Sequence, residues 1–234
     1  MDLSVVLPTL HRPGTALLIA RRLAELLDSA LTFELIVVTP RPVENVTDAR
    51  VRCLIDRGRG VYAAYGQGIR AAVGEYVWLL GDDDFPLDAI RSLTALIRER
   101  RADLIAAPVI YSTGGLYRPT RSRFVLLFYN WCQQGVLYRR HVLLRHAFHA
   151  RFKVQADHYV NVLLRGDRSL RTEFLRDPLC VFGAHGVSSR GGDRSFRKVR
   201  PYLAHRTLRP MGYLMFLLIV AVADIRKQLR RSAQ

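Results

Sequence analysis

Three adjacent aspartates at residues 82–84 are the part of the chain best suited to chemistry, because they follow directly after an apolar run. The run 76–80 has only aromatic, β-branched and leucine residues, as in a strand covered on both faces, and Pro86 stops its ladder. Adjacent carboxylates repel one another unless a cation lies between them, and their oxygens favour Mg²⁺ or Mn²⁺. The triplet therefore predicts a metal site. A solvated turn with Asp84 or Asp88 as a helix N-cap is the alternative.

The stretches around the triplet alternate between strand-like and helix-like composition. Apolar patterning predicts strands over 3–9, 34–38, 76–80 and 103–111 and helices over 15–27, 60–73 and 87–101. Pro108 suggests an edge or a bulge in the last strand. The alternation predicts a parallel sheet, and ligands bind at the carboxyl edge of such a sheet, where the triplet lies.

Four segments follow one another in an order that is known from an enzyme family. They are the strand and Pro-Thr loop over 5–13, the helix over 60–76, the strand end over 79–84, and the segment 152–166, in which an aspartate precedes a helix. Together they resemble the family 2 glycosyltransferases of bacterial surface polysaccharides. The resemblance implies an α/β fold of the GT-A type, with a Rossmann-like, mostly parallel sheet and flanking helices. It also implies sugar transfer from a nucleotide diphosphate sugar, with a UDP-sugar favoured.

The resemblance also assigns roles to side chains. Asp157 would be the general base for the acceptor hydroxyl, and Asp83 and Asp84 would hold Mg²⁺ or Mn²⁺ against the departing diphosphate. One base without an opposing nucleophile implies direct displacement with inversion at the anomeric carbon. A helix N-cap is the alternative role for Asp157. The implied donor-binding residues are Pro8, Thr9, Arg12, Thr39, Asp56, Arg57, Gly60, Gln67, Asp82, Asp83, His185 and Arg190.

The chain departs from the family pattern in the nucleotide-binding half. Thr39 begins the segment where the family places an acidic residue against the nucleobase, so Asp56, Arg57 or the Thr39 region is expected to make that contact. The family's usual Asp and Asn in the following helix are also replaced. Gly81 stands at the first carboxylate of the metal motif. Which of the three aspartates touches the ion therefore stays open at this point.

Two later segments bear on the acceptor and on closure of the site. Residues 130–140 resemble the strand that lines the acceptor side. The implied acceptor-binding residues are Trp131, Gln133 and Gln134. A core position for Trp131 is an equal alternative. The glycine-rich loop 182–192 resembles the segment that closes over the diphosphate, with His185 as a metal or phosphate ligand and Arg190 as a partner of the leaving group.

The composition indicates one domain with a basic tail. The chain has 234 residues, half of them hydrophobic, and a formal net charge of +16, which suits one substantial core. The start of the chain has no basic region of a signal peptide. Three widely spaced cysteines predict reduced thiols in a cytosolic setting. They are Cys53, Cys132 and Cys180.

The last 45 residues hold eleven Lys or Arg and two Asp, a net charge of +9. Within them the run 211–223 has no charged residue. As a helix it would measure about 20 Å, which is short of the ~30 Å hydrocarbon core of a membrane. Basic clusters on both sides predict docking on an anionic membrane surface, at the inner face of the cell membrane. The alternative is a last core helix with a solvated basic end.

These features together predict a glycosyltransferase domain over 1–205, divided into a nucleotide-binding half (1–111) and an acceptor half (112–205), and a membrane-associating tail over 206–234. The acceptor would be a glycan or a lipid-linked glycan. Two alternatives to a glycosyltransferase stay open. One is a nucleotidyltransferase that makes a nucleotide sugar, although the first loop lacks the glycines that would hold a triphosphate. The other is an inactive module that binds a nucleotide sugar. Nucleic-acid binding is not expected, because basic and aromatic residues do not interleave.

Overall fold

The computed structural model describes residues 1–12, 14–27, 30–44, 46–146, 148, 152–183 and 193–232. Its strands are β1 (Leu3–Pro8), β2 (Phe33–Thr39), β3 (Val51–Ile55), β4 (Tyr76–Leu79), β5 (Phe85–Pro86), β6 (Leu104–Ala106), β7 (Val109–Tyr111), β8 (Leu116–Tyr117), β9 (Val136–Arg139), β10 (Thr172–Phe174) and β11 (Cys180–Phe182). Its helices are α1 (Thr15–Leu27), α2 (Val61–Ala71), α3 (Leu93–Arg98), α4 (Arg123–Leu126), α5 (Arg140–Arg145), α6 (Ala156–Gly166), α7 (Arg194–Thr207) and α8 (Pro210–Ser232).

Seven strands form the central sheet in the order β10-β6-β9-β4-β1-β2-β3. Neighbouring strands run parallel except at β9, which lies antiparallel between β4 and β6. All residues of β2 are buried, because both faces of the sheet are covered, and the buried carboxylate of Glu34 pairs with Arg52. The predicted mostly parallel α/β sheet with flanking helices is confirmed.

Helices cover the two faces of this sheet. On one face α1 buries Ile19, Leu23 and Leu27, which are spaced by four residues and form one side of the helix. On the other face α2 approaches β1 so closely that a side chain at Gly68 would overlap Val6. This contact fixes α2 against the strand and brings the start of α2 to the carboxyl edge of the sheet.

A second sheet has four strands in the order β5-β11-β7-β8. Its strand β5 begins directly after the aspartate triplet and pairs with β11, with Pro86 opposite Cys180. The predicted strand over 103–111 is divided at Pro108 into β6 of the central sheet and β7 of the second sheet. Proline lacks the N–H group that a continuous ladder needs. The triplet therefore lies where the chain passes from one sheet to the other.

Two other elements differ from the sequence prediction. The helix expected over 87–101 is a 3₁₀ turn at Asp88–Ser92 followed by α3, and no side chain caps its start. The N-cap alternative for Asp84 and Asp88 is therefore wrong. Strand β3 was not predicted, because its side chains are mostly exposed at the edge of the sheet and its apolar residues do not alternate cleanly.

Helix α8 contacts the core through part of its surface. Phe216 is fully buried and packs on Phe128, and the guanidinium of Arg200 lies over both rings. The exposed apolar side chains of the same helix are Met211, Leu214, Met215, Leu217, Leu218, Ile219, Val222 and Ile225. No helix in the described ranges is long and apolar enough to cross a membrane. The boundary predicted after residue 205 falls inside α7, and the next helix, α8, begins at Pro210.

A buried histidine joins α6 to its neighbours. His158 is 1% exposed, and its ring stacks on Phe196 with 4.2 Å between the ring centroids. Its Nε2 lies 2.6 Å from the carbonyl oxygen of Leu126. Burial lowers the pKa of His158 to about 4, so the imidazole is neutral at pH 7.

We expect His158→Gln to reduce the acid sensitivity of the fold. The imidazole takes up a proton near pH 6.5 in the unfolded chain and near pH 4 in the folded one, so the unfolded state binds more protons between these values. The wild type therefore loses about 3 kcal/mol of stability as the pH falls through this window. Glutamine keeps an N–H donor for Leu126 and does not titrate. Chemical denaturation at pH 7 and at about pH 4.5 measures the difference, and equal losses in both proteins would contradict it.

Candidate active site

Four parallel strands end at one edge of the central sheet and bring predicted donor-binding residues together. β1 ends in Pro8 next to Thr9, β2 ends in Thr39, β3 leads to Asp56, and β4 leads to the triplet. The Thr9 amide donates to the carbonyl of Val38 at 2.9 Å, and the Asp56 amide donates to the carbonyl of Thr39 at 2.8 Å. The site predicted from the sequence thus corresponds to the carboxyl edge, where open α/β sheets bind ligands.

Asp82 connects the triplet to the loop after β1. The hydroxyl of Thr9 donates to Asp82 Oδ2 at 2.6 Å and accepts from the amide of Arg12 at 3.0 Å. Thr9 is 4% exposed, so this connection is shielded from water, while the side chain of Arg12 is exposed. Three of the predicted donor-binding residues therefore lie together in a hydrogen-bonded loop.

Asp84 is the most buried member of the triplet, with 2% exposure. Its Oδ2 accepts from the amide of Gly81 at 2.5 Å, and its Oδ1 accepts from the amide of Gly183 at 3.1 Å. Burial raises the pKa of Asp84 to about 7, while these amides and the side chain of Gln134 act in the opposite direction. The carboxylate is thus held by backbone groups from both sheets.

Asp83 lies beside Asp84 and is partly exposed. A Cβ on Gly81 would lie 2.9 Å from an oxygen of Asp83 and 3.1 Å from an oxygen of Asp84, so the two carboxylates converge. Mg²⁺ typically takes one or two carboxylates and completes its octahedron with waters and substrate phosphates, which fits this pair. Among the described residues no group of three or more His, Cys, Asp or Glu side chains forms a metal site. A cation here would therefore complete its coordination with waters or substrate oxygens.

The predicted glycine-rich loop contributes its first residues to the same place. Gly183 follows β11, and its amide binds Asp84. A side chain on Gly183 would overlap the carboxylate of Asp83, so only glycine fits against the triplet. His185 and Arg190 lie outside the described residues.

Asp157 lies in the first turn of α6 and is 8% exposed. The hydroxyl of Tyr62 lies 2.7 Å from its Oδ1 and also contacts the carbonyl oxygen of Val154. Nδ2 of Asn130 donates to its Oδ2 at 2.5 Å. Burial raises the pKa of Asp157, and hydrogen bonds from Tyr62, the amide of His158 and Asn130 oppose this rise. The N-cap position of α6 is Gln155, so the N-cap alternative for Asp157 is wrong.

Tyr65 on α2 lies next to the end of β4. This side chain is fully buried, and its hydroxyl donates to the carbonyl of Leu80 at 3.1 Å, just before the triplet. Burial raises the pKa of Tyr65, and the negative charges of Asp84, Asp157 and the rest of the triplet add to the rise. The negative charges of the predicted base and of the predicted metal ligands therefore both act on this one tyrosine.

The remaining predicted donor-binding residues lie in the segment that links β3 to α2. Gly60 precedes α2 with φ of 90°, a conformation that favours glycine. Nε2 of Gln67 donates to the carbonyl of Ile55 at 2.8 Å, which ties the helix to the end of β3. Asp56 and the exposed Arg57 follow directly after that strand.

The predicted acceptor-binding residues are mostly buried, which limits their contact with an acceptor. Trp131 is 1% exposed, donates through Nε1 to the carbonyl of Thr120 at 2.9 Å and meets Phe174 edge to face. The core alternative for Trp131 therefore applies, and its ring is not free to stack on a sugar. Gln133 is 8% exposed, and Gln134 lies beside Asp84 instead.

Sequence reasoning missed the residues that hold Asp157. Tyr62 and Tyr65 lie within the helix predicted over 60–73 and carry no predicted role, although each directs its hydroxyl towards the site. Asn130 appeared only as the first residue of a segment. The sequence offered one signal for them: each side chain carries a polar group and lies close in the chain to a predicted site residue, Gly60 or Trp131. Their partners are distant in sequence, so the fold was needed to identify them.

Comparison with known proteins places this arrangement in a family. The model of glycosyl transferase family 2 matches residues 4–157, so the match begins in β1 and ends at Asp157. Glycosyltransferases of PGL/p-HBAD biosynthesis from Mycobacterium tuberculosis and Mycobacterium bovis are each 27% identical over 223 residues. Each alignment covers 85% of this chain and 83% of the relative.

Solved structures share the fold. A crystal structure of TarS 1–349 from S. aureus with UDP-GlcNAc matches with a TM-score of 0.70 and 16% identity, over 91% of this chain and 69% of that chain. The mannosyltransferase PcManGT from Pyrobaculum calidifontis, in complex with GDP-Man and Mn²⁺, matches with a TM-score of 0.57 and 14% identity, over 98% and 82%. Because the family model spans more than half of the residues and includes the aspartate triplet, the chain belongs to glycosyl transferase family 2 and is a glycosyltransferase.

Proposed function

We propose that this glycosyltransferase moves a sugar from a nucleotide diphosphate sugar to a hydroxyl group, with inversion at the anomeric carbon. The observation that supports this reaction most directly is the placement of a buried carboxylate, Asp157, in one site with the aspartate triplet around Tyr65. A sugar bound between them would have the leaving group on one side and the base on the other.

The leaving group needs neutralisation of its developing negative charge. Asp83 and Asp84 would hold Mg²⁺ or Mn²⁺, which supplies Lewis acidity to the diphosphate when bound. Asp82, Thr9 and Arg12 would order the loop against the nucleotide, since they form one hydrogen-bonded unit. The PcManGT structure with GDP-Man and Mn²⁺ supports a divalent cation by analogy of fold.

Asp157 would accept the proton of the attacking hydroxyl. Its raised pKa brings it closer to neutral pH, where a general base is most effective, while its two hydrogen-bond donors keep it ionised. A single base on this side supports direct displacement and therefore inversion. The acceptor would be a glycan or a lipid-linked glycan.

Thermal-shift measurements with UDP, GDP and TDP, each with and without Mn²⁺, test the donor class. A bound ligand raises stability by RT ln(1 + [L]/Kd), so the correct nucleotide should raise the melting temperature only with the cation. Metal-dependent release of the sugar from the donor then separates an active transferase from an inactive binding module. A response to none of the three nucleotides would contradict the proposal.

We further propose that α8 docks the enzyme on an anionic membrane surface, which would place it near a lipid-linked acceptor. Its exposed apolar residues lie next to basic residues of the sequence, and both features favour such a surface. Most of the protein would stay outside the bilayer in this arrangement, because the buried side chain of Phe216 keeps α8 packed on the core.

Leu214→Gln with Leu218→Gln should lower partitioning to anionic vesicles by about 10²-fold, because two leucine side chains no longer transfer from water. The two residues are 55% and 59% exposed, so the melting temperature should not change. Leu18→Gln with Val73→Gln is the matched control, because these residues are similarly exposed elsewhere. Flotation with vesicles of anionic lipid measures binding. If both double variants float like the wild type, α8 is not the docking surface.

A further inference from the structure

The carboxylate of Asp157 is the end of a chain of buried hydrogen bonds. The hydroxyl of Tyr138 donates to Oδ1 of Asn161 at 2.7 Å, and Nδ2 of Asn161 donates to Oδ1 of Asn130 at 3.0 Å. Nδ2 of Asn130 then donates to Oδ2 of Asp157 at 2.5 Å. From the other side, the hydroxyl of Tyr62 lies 2.7 Å from Oδ1 and also contacts the carbonyl oxygen of Val154, so its one proton is shared between two acceptors. The chain joins β9, α6 and α2 at one carboxylate.

All hydrogen bonds of this series donate towards Asp157, because an ionised carboxylate only accepts hydrogen bonds. Asn130 must present its amide N–H to Asp157, so its carbonyl oxygen faces Asn161. Asn161 must then donate to that oxygen, and its own carbonyl oxygen accepts from Tyr138. Tyr138 and Asn161 are both 0% exposed, so water does not compete for these groups. Every amide orientation in the chain therefore suits the charged form of Asp157.

We propose that Tyr62 and Asn130 are positioning residues that fix the two oxygens of Asp157 and, supported by Asn161 and Tyr138, favour its ionised form. The inference rests on the proposed role of Asp157 as the base. Both residues act on the acceptor only through Asp157. Buried donors of this kind are more effective than exposed ones, because the surroundings screen the carboxylate less.

The groups that face Asp157 come from several elements. Tyr62 and Tyr65 lie on α2, Tyr138 on β9, and Cys132 just before β9, and each of them senses its negative charge. The amide of the next residue in α6 also donates to it. Removal of one side-chain donor leaves the others in place, so the pKa of Asp157 should rise without loss of the site.

The test is the dependence of kcat on pH at saturating donor, measured for Tyr62→Phe, Asn130→Leu and Tyr138→Phe. Tyr76→Phe is the matched control, because Tyr76 is equally buried in the neighbouring strand and its hydroxyl donates to the carbonyl of Ala102 at 2.5 Å. The acid limb should move upward by about one pH unit in the first two variants. It should move less in Tyr138→Phe and remain in place in Tyr76→Phe.

A limb that stays in place while kcat falls equally at every pH would overturn the inference, because a merely structural loss acts in this way. Asp157→Asn separates the role of Asp157 as the base from the positioning role of Tyr62 and Asn130. If that variant keeps its turnover, Asp157 is not the base and both proposals fail. If it loses turnover and the limb of Tyr62→Phe still does not move, only the positioning role fails. Tyr62→Phe removes one oxygen from a partly exposed side chain, so we expect it to fold.

Discussion

Replacing Asp157 with asparagine should lower the rate of sugar transfer by about 10²–10⁴-fold, the usual effect of losing a general base. Asparagine has the same shape and fills the place between Tyr62 and Asn130, but it cannot accept the proton of the acceptor hydroxyl. Donor binding should stay close to that of the wild type, because the side chains that bind Asp157 are Tyr62 and Asn130, which lie outside the triplet.

Steady-state kinetics and calorimetry together check this result. The expected outcome is a loss in kcat with an unchanged Kd for the nucleotide diphosphate. Asp193→Asn is a suitable control, since Asp193 caps α7 by accepting from the amide of Ser195 and is not part of the triplet. A decrease of less than about tenfold in a folded Asp157→Asn variant would remove Asp157 from the role of base.

The double variant Asp83→Asn, Asp84→Asn should lose metal-dependent nucleotide binding altogether. Amides cannot neutralise a divalent cation, and the two side chains converge beside Gly81. We expect the fold to survive, because one amide oxygen at residue 84 can still accept from the backbone of Gly81 or Gly183.

Asp88→Asn provides the matched control for the charge change. Asp88 is a nearby carboxylate that pairs with Arg22 at 2.8 Å and is exposed, so its loss should not affect the nucleotide. Calorimetry with UDP and Mn²⁺ compares the variants, and circular dichroism confirms folding. Equal affinity in the wild type and the double variant would disprove the metal assignment.

The sheet and its carboxyl edge could be predicted from the sequence because their signals are local. Strand β2 has four consecutive apolar residues over 35–38, and α1 repeats its buried residues every three or four positions. The triplet followed from the end of β4 in the same way. The resemblance supplied Asp157, which no local pattern distinguishes from a residue at a helix start.

The supporting residues could not be predicted because their partners are far away in the chain. Asn130 and Asp157 are 27 residues apart, and Tyr62 and Asp157 are 95 residues apart. Trp131 shows the same limit, since an aromatic ring beside polar residues suits a sugar platform as well as a core. Only the packing against Phe174 decides between the two.

The aspartate triplet is one of the places where the two sheets are connected. The chain leaves the central sheet at the end of β4 and enters the second sheet at β5 six residues later, and Asp84 also holds the amide that follows β11. The small sheet therefore cannot rotate against the large one without breaking the hydrogen bonds of this one carboxylate. A change in the angle between the sheets would therefore move the carboxylate of Asp84 relative to the end of β4.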